Sequence, residues 1–328
     1  MSIMTPKILK GNAQHFLETH EFDFYVANPF SARFVPKDAK SLILTRVNYV
    51  DLPNLVQAMP NKNSRILAFG AGSVIDPAKY LAKVTDSHLT VIPSALSVNS
   101  FATHRSSFFD DQSKKSFDTI APHVLVLDYD LLKSAGILNA LGVIELASTA
   151  TAQVDWSSAI EKGIERADEQ IKGRSGVLIE KTIDLLNDYE NISDKLGQLF
   201  EGLIESGLLT QEYGNGRPVS GSEHIISSHI ENRIIGCAHG VGLYVGILIA
   251  AELQKQQGKS TPQVEAIANH LLKARFVREY IKQQFSKKII QDILSTIRPR
   301  AEKHTIINDF SAEDFQLTAN KMCDIIFK

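Results

Sequence analysis

The feature that most constrains this chain is a regular alternation of short apolar strands and helices over about its first 130 residues. The predicted strands are Ser41–Thr45, Arg65–Phe69, Leu89–Ile92 and Val124–Leu127, and the predicted helices between them are Tyr49–Met59 and Val74–Val84. Strands that are apolar on both faces and alternate with helices are typical of a parallel sheet covered on both sides. The pattern therefore predicts a Rossmann-like α/β domain, an architecture that commonly binds nucleotides.

The strand pattern ends near residue 130, and the rest of the chain predicts helices alone. The predicted helices are Leu131–Trp156, Ala159–Ala167, Ser175–Leu186, Ile192–Gly207, Gly221–Arg233, Gly240–Gln257, Thr261–His270, Val277–Phe285 and Lys288–Ile297. Glycine, asparagine or proline bounds several of these stretches. We therefore predict an α/β domain over residues 1–135 and an all-α domain over residues 136–328, with a ligand-binding cleft between them.

Composition and charge narrow the class of protein. The chain has 328 residues, and its 35 basic and 37 acidic side chains give a formal net charge of −2 at pH 7. The longest apolar run, Leu243–Ala251, is far shorter than the roughly 20 residues that span a bilayer, and the N-terminal residues lack the apolar core of a signal peptide. Two cysteines cannot form the disulfide framework of a small secreted protein. We expect a cytoplasmic protein that binds neither nucleic acid nor a membrane.

A glycine-containing turn joins the second predicted strand to the helix that follows it. The turn reads Gly70-Ala71-Gly72-Ser73, and glycines at such a place let backbone N–H groups approach a phosphate closely. The usual Rossmann spacing needs a third glycine where this chain has Ile75, and the lysine of a P-loop is absent. A plain tight turn therefore remains an alternative to a phosphate-binding turn. Asp76 and Lys79 in the next helix have a solvated ion pair as their simplest interpretation.

Three polar residues stand in otherwise apolar helical segments. Glu145 has aliphatic neighbours on both sides, His224 lies in the segment Arg217–Arg233 with His229 five residues later, and His239 begins the most apolar stretch. A buried carboxylate needs a partner, and one carboxylate with two imidazoles is a ligand set for a divalent metal. The alternative is that each histidine is a hydrogen-bonded core or helix-end residue.

The order of these segments resembles the superfamily of iron-containing alcohol dehydrogenases, glycerol dehydrogenases and dehydroquinate synthases, and is most similar to its sn-glycerol-1-phosphate dehydrogenase branch. The matching segments are GAGSVIDPAKYLA (70–82), IPSALSVNSFAT (92–103), LGVIELASTATAQVDW (141–156), RPVSGSEH (217–224) and HGVGLYVG (239–246). The resemblance implies a dinucleotide-binding α/β domain followed by an all-α metal-binding domain, the dehydroquinate synthase-like fold.

The resemblance also assigns roles to individual residues. It implies that NAD or NADP is the cofactor and that a divalent metal is present, with zinc favoured and iron or nickel as alternatives. The residues implied for the pyrophosphate are Gly70, Ala71, Gly72, Ser73, Asp76 and Lys79; those for the adenine and nicotinamide ends are Pro93, Ser94 and Ser97; and those for the metal are Glu145, His224 and His239. Ala71 replaces a glycine of the family pattern, and Glu145 is an aspartate in glycerol-1-phosphate dehydrogenases but a glutamate in dehydroquinate synthases.

Further departures concern the substrate. Asn99 stands where family members usually have an aspartate near the nicotinamide and the substrate. Arg105 and Lys115 match the lysines of dehydroquinate synthases only in part, but both are candidates for binding an anionic substrate. Arg217 precedes His224 by seven residues, where the synthases have a phosphate-binding arginine, and its alternative is a surface residue. The candidate proton relays are His229 and His104, with Asn99 as a further candidate catalytic residue.

These observations predict a metal-dependent, NAD(P)-linked oxidoreductase that acts on a small polyol or polyol phosphate, as in the reduction of dihydroxyacetone phosphate. The metal would lower the pKa of a substrate hydroxyl, and hydride would pass to the nicotinamide. The alternatives are a sugar-phosphate cyclase that eliminates phosphate with tightly bound NAD, and a non-catalytic binding module. Arg46 follows the first predicted strand and would accept the 2′-phosphate of NADP. A homodimer is a further expectation.

Overall fold

The computed structural model describes residues 5–59, 61–110, 114–299 and 303–328. The strands are β1 Lys7–Lys10, β2 Phe24–Ala27, β3 Ser41–Ile43, β4 Arg65–Gly70, β5 His88–Pro93, β6 Arg105–Phe109, β7 Lys114–Asp118 and β8 Val124–Leu127. The helices are α1 Ala13–Thr19, α2 Leu52–Ala58, α3 Gly72–Val84, α4 Tyr129–Ser134, α5 Ile137–Glu161, α6 Glu169–Asn187, α7 Leu196–Tyr213, α8 Ser222–Arg233, α9 His239–Gln256, α10 Pro262–Lys273, α11 Arg275–Gln284, α12 Lys287–Leu294 and α13 Ala312–Ile326.

A six-stranded sheet organises the first part of the chain, with the strand order β1-β8-β5-β4-β2-β3. Every pair of neighbouring strands in it is parallel. The four predicted strands are present, and the predicted fold class, a Rossmann-like region followed by a helical region, is confirmed. The central strands are buried on both faces, as continuous apolar runs require.

Strands β1 and β2 were not among the predicted strands. The first has the sequence KILK and lies at the edge of the sheet, where its lysines are exposed. The second is four residues long, and all four are buried. The pairing of β1 with β8, and of β2 with β3 and β4, defines these segments as strands.

Strands β6 and β7 form a separate antiparallel hairpin that the sequence analysis also missed. Serines and charged residues make up most of both strands, which read RSSFF and KKSFD, so the strands lack a clear apolar alternation. Aromatic contacts stabilise the hairpin instead, since the ring of Phe117 stacks on Tyr49 at a centroid distance of 5.0 Å and contacts Phe108 at 5.7 Å.

Apart from shifted helix ends, the helices of the second half differ from the predicted set in three ways. The predicted helix Leu131–Trp156 is two helices, α4 and α5, separated at Gly136, whose φ of +53° belongs to the left-handed region. The predicted helix Ala159–Ala167 does not exist as such, because its first residues continue α5 and Asp168 caps the next helix by accepting from the Ile171 N–H. The C-terminal helix α13 was not predicted.

Two compact units divide the chain, and neither is one continuous stretch. The first comprises residues 1–142 with Ser193–Gln211, and the second comprises Val143–Ile192 with Glu212–Lys328. The sheet lies in the first unit, and most of the helices lie in the second. The simpler division of the chain at residues 135 and 136 stays a prediction.

Helix α5 is the one described helix that is long and apolar enough to cross a membrane. It has 25 residues and a window of mean hydropathy 1.3, but 83% of that window is buried inside the protein. Burial of this extent is what the core helix of a soluble protein has.

Two histidine rings stack at the amino-terminal edge of the sheet. His88 begins β5, His123 directly precedes β8, and the ring centroids are 4.3 Å apart. The backbone N–H of Leu89 donates to Nδ1 of His123 at 3.0 Å. Desolvation lowers the pKa of both rings, and the neighbouring charge of His88 lowers that of His123 further.

We expect these histidines to make the folded protein less stable as the pH falls through their ordinary pKa of 6.5. Below that pH the unfolded chain binds protons that the folded chain does not yet bind, so the free energy of unfolding decreases. Urea unfolding between about pH 7.5 and about pH 5.5 should lose less stability in His88→Gln than in the wild type. Parallel pH dependences of the two proteins would contradict this assignment.

Candidate metal centre and cofactor-binding segment

The three predicted metal ligands come together in the helical unit. Glu145 of α5, His224 of α8 and His239 of α9 each offer one donor atom, and these atoms lie within 4.8 Å of one another. Nε2 of His239 is 3.1 Å from one carboxylate oxygen of Glu145, and Nε2 of His224 is 4.0 Å from the other. The Glu145 side chain is 7% exposed. The structure thus brings two imidazole nitrogens to one nearly buried carboxylate.

The second nitrogen of each ring contacts another buried carboxylate. Nδ1 of His224 lies 2.8 Å from Oε1 of Glu223, and Nδ1 of His239 lies 2.7 Å from Oε1 of Glu231. A carboxylate at Nδ1 favours the proton on that nitrogen and leaves the lone pair of Nε2 available. Imidazoles oriented in this way, together with a carboxylate, fit a divalent cation such as zinc, iron(II) or nickel.

Helices α8 and α9 approach closely because two glycines of α9 have no side chain. A Cβ atom at Gly242 would lie 2.6 Å from Oγ of Ser227, and one at Gly246 would lie 2.4 Å from the carbonyl oxygen of Glu223. Neither distance is compatible with a side chain. The glycines that the sequence HGVGLYVG repeats every fourth position therefore set the separation between the helices that carry His224 and His239.

Asp155 fixes the first turn of α8 from within α5. Its carboxylate accepts the backbone N–H of Ser222 at 2.6 Å and that of Ile306 at 2.8 Å. Desolvation, and next the charge of Glu223, raise the pKa of Asp155 to about 6. The residue satisfies an N–H group at the start of the helix that carries His224, although it stands 67 residues earlier in the chain.

The sequence analysis missed Asp155, Glu223 and Glu231. All three carboxylates are buried. An acidic residue in a segment predicted to be buried needs a hydrogen-bonding or charged partner, so its position in the sequence already indicates such a partner. Glu223 directly precedes His224, so a carboxylate next to a candidate ligand histidine is the clearest of these signals.

The glycine-containing turn lies at the carboxyl end of a central strand. Gly70 ends β4, Ala71 caps α3, and Gly72 begins that helix. Gly70 pairs with Pro93 at the end of β5, and the Ser94 N–H donates to the carbonyl of Gly70 at 2.9 Å. The turn and the start of the predicted nicotinamide segment are therefore adjacent, at the end of a parallel sheet where ligands commonly bind. Ser73 is exposed, and Ser97 is half-buried.

Lys79 does not have the environment of a cofactor contact. It is completely buried, and its Nζ donates to the backbone carbonyls of Ser100, Thr103 and Arg105 and lies 2.9 Å from Oδ1 of Asp76. Desolvation lowers the pKa of Lys79, and Asp76 opposes that shift. Oδ2 of Asp76 in turn accepts the Ser107 N–H at 3.1 Å. This geometry favours a structural role for both residues, in which they hold the segment 100–107.

We expect Lys79→Met to lower the free energy of unfolding by about 3 kcal/mol, because it leaves buried carbonyls and the Asp76 carboxylate without their cation. Lys83→Met is the matched control, since Lys83 lies one turn later in α3 and donates to the Asp118 carbonyl from an exposed position. The control should change stability by no more than about 0.5 kcal/mol. Equal urea midpoints for the two variants would contradict the structural role.

The predicted substrate contacts of the first unit lie on or near the β6–β7 hairpin. Arg105 pairs with Asp118 and donates to Oγ of Ser116. Lys115 lies 3.1 Å from a carboxylate oxygen of Asp110. Nε2 of His104 is 3.5 Å from Asp118, and desolvation lowers its pKa. Asn99 lies elsewhere, and its Nδ2 donates to Oγ of Ser206 at 2.9 Å. Their roles toward a substrate stay predictions.

Arg217 is not the surface residue that was its alternative, because only 4% of its side chain is exposed. Nε donates to Glu165 at 2.9 Å, and Nη1 donates to the carbonyl of His304 at 2.5 Å. A guanidinium engaged in this way has fewer donors left for a phosphate, so the geometry does not favour the predicted substrate contact.

His229 contacts α12 and the turn that follows it. Its Nε2 lies 2.9 Å from Oγ1 of Thr296 and 3.1 Å from the carbonyl of Ile293. Arg233 approaches Nδ1 at 3.0 Å. Both ring nitrogens therefore have protein partners, and a proton relay through this residue stays a prediction.

Arg46 follows β3, and its guanidinium lies 3.7 Å above the ring of Phe109. Stacking on an aromatic ring fixes the orientation of the guanidinium plane.

Comparison with known proteins finds similar sequences and similar folds. The sequence profile of a family described as iron-containing alcohol dehydrogenase matches residues 41–136. A glycerol-1-phosphate dehydrogenase [NAD(P)+] of Methanosphaera stadtmanae is 27% identical over 251 residues, which cover 75% of this chain and 70% of that protein. The enzyme of the same name from Methanococcus aeolicus is 27% identical over 301 residues, which cover 85% and 86% of the two chains.

Solved structures show the same fold. A probable glycerol dehydrogenase from Sinorhizobium meliloti superposes with a TM-score of 0.69 over 99% of this chain and 98% of that chain, at 13% identity. A glycerol dehydrogenase from Schizosaccharomyces pombe superposes with a TM-score of 0.65 over 99% and 91%, at 16% identity. The chain is thus similar in sequence to glycerol-1-phosphate dehydrogenases, similar over residues 41–136 to the iron-containing alcohol dehydrogenase family, and similar in fold to glycerol dehydrogenases.

Proposed function

We propose that this protein is a metal-dependent, NAD(P)-linked oxidoreductase that acts on a small polyol phosphate, as relatives named glycerol-1-phosphate dehydrogenase do. The observation that carries the proposal is the convergence of Glu145, His224 and His239, with a buried carboxylate at Nδ1 of each imidazole. We propose dihydroxyacetone phosphate as the substrate to be reduced.

Different residues of the chain would bind the metal and orient its ligands. Glu145, His224 and His239 would hold the metal, which when bound supplies a Lewis acid that polarises a carbon–oxygen bond of the substrate. Glu223 and Glu231 keep the two imidazoles oriented. Because these donors are positioned by packed helices, they need little rearrangement to bind their ligand.

The candidate cofactor residues lie at the carboxyl end of the sheet. We propose that the backbone at Gly70, Ala71, Gly72 and Ser73 approaches the pyrophosphate and that the start of α3 stabilises its charge. Pro93, Ser94 and Ser97 lie on the adjacent segment and would contact the two ends of the dinucleotide. Asp76 and Lys79 support this region from inside, as their buried contacts indicate.

Several polar side chains are candidates for binding the substrate and for transferring a proton. Arg105 and Lys115 carry positive charge on the β6–β7 hairpin and are our candidates for an anionic group of the substrate. Asn99, with its amide oriented by Ser206, is the candidate polar contact near the nicotinamide. His104 and His229 are the candidates for moving a proton.

The two other functions fit less well. A sugar-phosphate cyclase would use Arg217 for phosphate, but that guanidinium is buried against Glu165 and the carbonyl of His304. A non-catalytic binding module would not need three metal donors with their orienting carboxylates. We further propose a cytoplasmic enzyme that forms a homodimer and binds neither nucleic acid nor a membrane, in keeping with its net charge of −2.

We expect the zinc-loaded protein to consume NADH or NADPH in the presence of dihydroxyacetone phosphate. The loss of absorbance of the reduced nicotinamide measures this consumption. Glu145→Gln should weaken zinc binding by at least the roughly 10- to 100-fold typical of lost orienting contacts, because a direct ligand is removed. Glu161→Gln, at the exposed end of the same helix, is the matched control and should retain activity.

Loss of activity in Glu145→Gln with retention in the control would support the proposal. A wild-type protein that binds zinc yet consumes no reduced nicotinamide would exclude this substrate. Release of inorganic phosphate from a larger sugar phosphate would then support the cyclase.

Arg46 provides a separate test of cofactor choice. We expect Arg46→Leu to lower kcat/KM for NADPH by roughly tenfold, since a charge-assisted contact to the 2′-phosphate is lost. The value for NADH should change little and serves as the internal control, because NADH lacks that phosphate. Equal losses with both cofactors would contradict a role in recognising the 2′-phosphate.

A further inference from the structure

Each candidate histidine ligand ends a hydrogen-bond chain, a series of three side chains that contact one another. Oγ1 of Thr151 donates to Oε2 of Glu223 at 2.9 Å, and Oε1 of Glu223 contacts Nδ1 of His224 at 2.8 Å. The second chain begins at Ser227, whose Oγ donates at 2.6 Å to Oε1 of Glu231. That same oxygen of Glu231 lies 2.7 Å from Nδ1 of His239. A hydroxyl, a carboxylate and an imidazole thus follow one another in both cases.

Burial makes these contacts directional. Thr151, Ser227 and Glu223 are completely buried, and Glu231 is 2% exposed. An ionised carboxylate can only accept hydrogen bonds, so each neighbouring hydroxyl and ring nitrogen must donate to it. The two hydroxyls also lie near carbonyl oxygens, at 3.0 Å from Ser148 and 3.3 Å from His239, but a carboxylate is the stronger acceptor and is the closer atom in both chains.

Glu223 has a further donor that fixes its position. The backbone N–H of Gly221 donates to Oε1 at 2.5 Å, while Thr151 donates to Oε2. With one oxygen held by the start of α8 and the other by α5, the carboxylate has a single orientation in which it accepts from His224. The proton is thereby kept on Nδ1, and the lone pair of Nε2 is directed towards Glu145.

We propose that Thr151 and Ser227 are positioning residues for the metal centre: their hydroxyls orient Glu223 and Glu231 and so set the affinity of His224 and His239 for a divalent cation. The inference rests on the proposed function of this centre as a metal site. Neither hydroxyl touches the cation, and each acts through its carboxylate. Helix α5 then contributes twice, because it carries Glu145 as a ligand and Thr151 as a residue that orients a second ligand.

Thr151→Val tests the first chain, since it preserves the shape of the side chain and removes the donor. We expect the zinc dissociation constant of the metal-free protein, measured by competition with a chromophoric chelator, to rise by about tenfold, the lower end of the range for lost orienting contacts. Thr151→Ser keeps the hydroxyl and should restore the wild-type affinity. Ser227→Ala should weaken zinc binding by a similar factor.

The chain offers matched controls for both substitutions. Thr149 lies on the same helix and is completely buried, and among the described residues its hydroxyl has no hydrogen-bond partner. Ser175 is likewise completely buried, with no partner for its hydroxyl within the described part of the chain. Thr149→Val and Ser175→Ala should keep zinc affinity within about twofold of the wild type, well below the loss expected for an orienting contact. Circular dichroism establishes that every variant is folded.

The outcomes separate this inference from the proposed function. Equal zinc affinities for Thr151→Val and Thr149→Val, in a protein whose wild type binds zinc, would overturn the positioning role and leave the proposed function intact. A Thr151→Ser variant as weak as Thr151→Val would also overturn it, because the effect would then come from packing of the methyl group. A folded wild type that binds no zinc would overturn both.

Discussion

The burial of several carboxylates inside one helical unit is the constraint on which the rest of the site depends. Removing an ionised carboxylate from water costs far more than a single neutral hydrogen bond returns, so each one must be compensated. Asp155 meets two backbone N–H groups, and Glu223 and Glu231 meet hydroxyls and imidazoles. The Nε2 lone pairs of His224 and His239 face Glu145, so a divalent cation held by all three groups would supply the compensating charge.

This constraint links the helices to one another. The side chains of α5 anchor the start of α8, and α8 packs against the glycines of α9. The separation of His224 from His239 is therefore set by close contacts at Gly242 and Gly246, three and seven residues after His239, rather than by the histidines themselves. Packed helices and hydrogen-bonded carboxylates position the candidate donors, as a metal centre requires of the protein around it.

The sheet-containing unit uses a buried charge for a different purpose. Lys79 lies in a motif that resembles a pyrophosphate-binding sequence, yet its ammonium group faces three carbonyls and Asp76. The motif therefore combines two tasks: its glycines form the turn at the end of β4, and its charged residues hold the segment that follows β5. A motif match identifies such residues without distinguishing those that touch a ligand from those that support them.

The sequence by itself determined the fold class, the four principal strands and the three candidate metal ligands. Continuous apolar strands and the position of polar residues in apolar helices are local properties, which a linear reading can detect. The short strands β1 and β2, the hairpin, and the roles of Glu223, Glu231, Asp155 and Arg217 were decided only by tertiary structure. Their contacts join residues far apart in the chain, as between Asp155 and Ile306, separated by 151 positions. Hydrogen-bond partners of buried charges depend on which helices pack together, and no local pattern in the sequence records that choice.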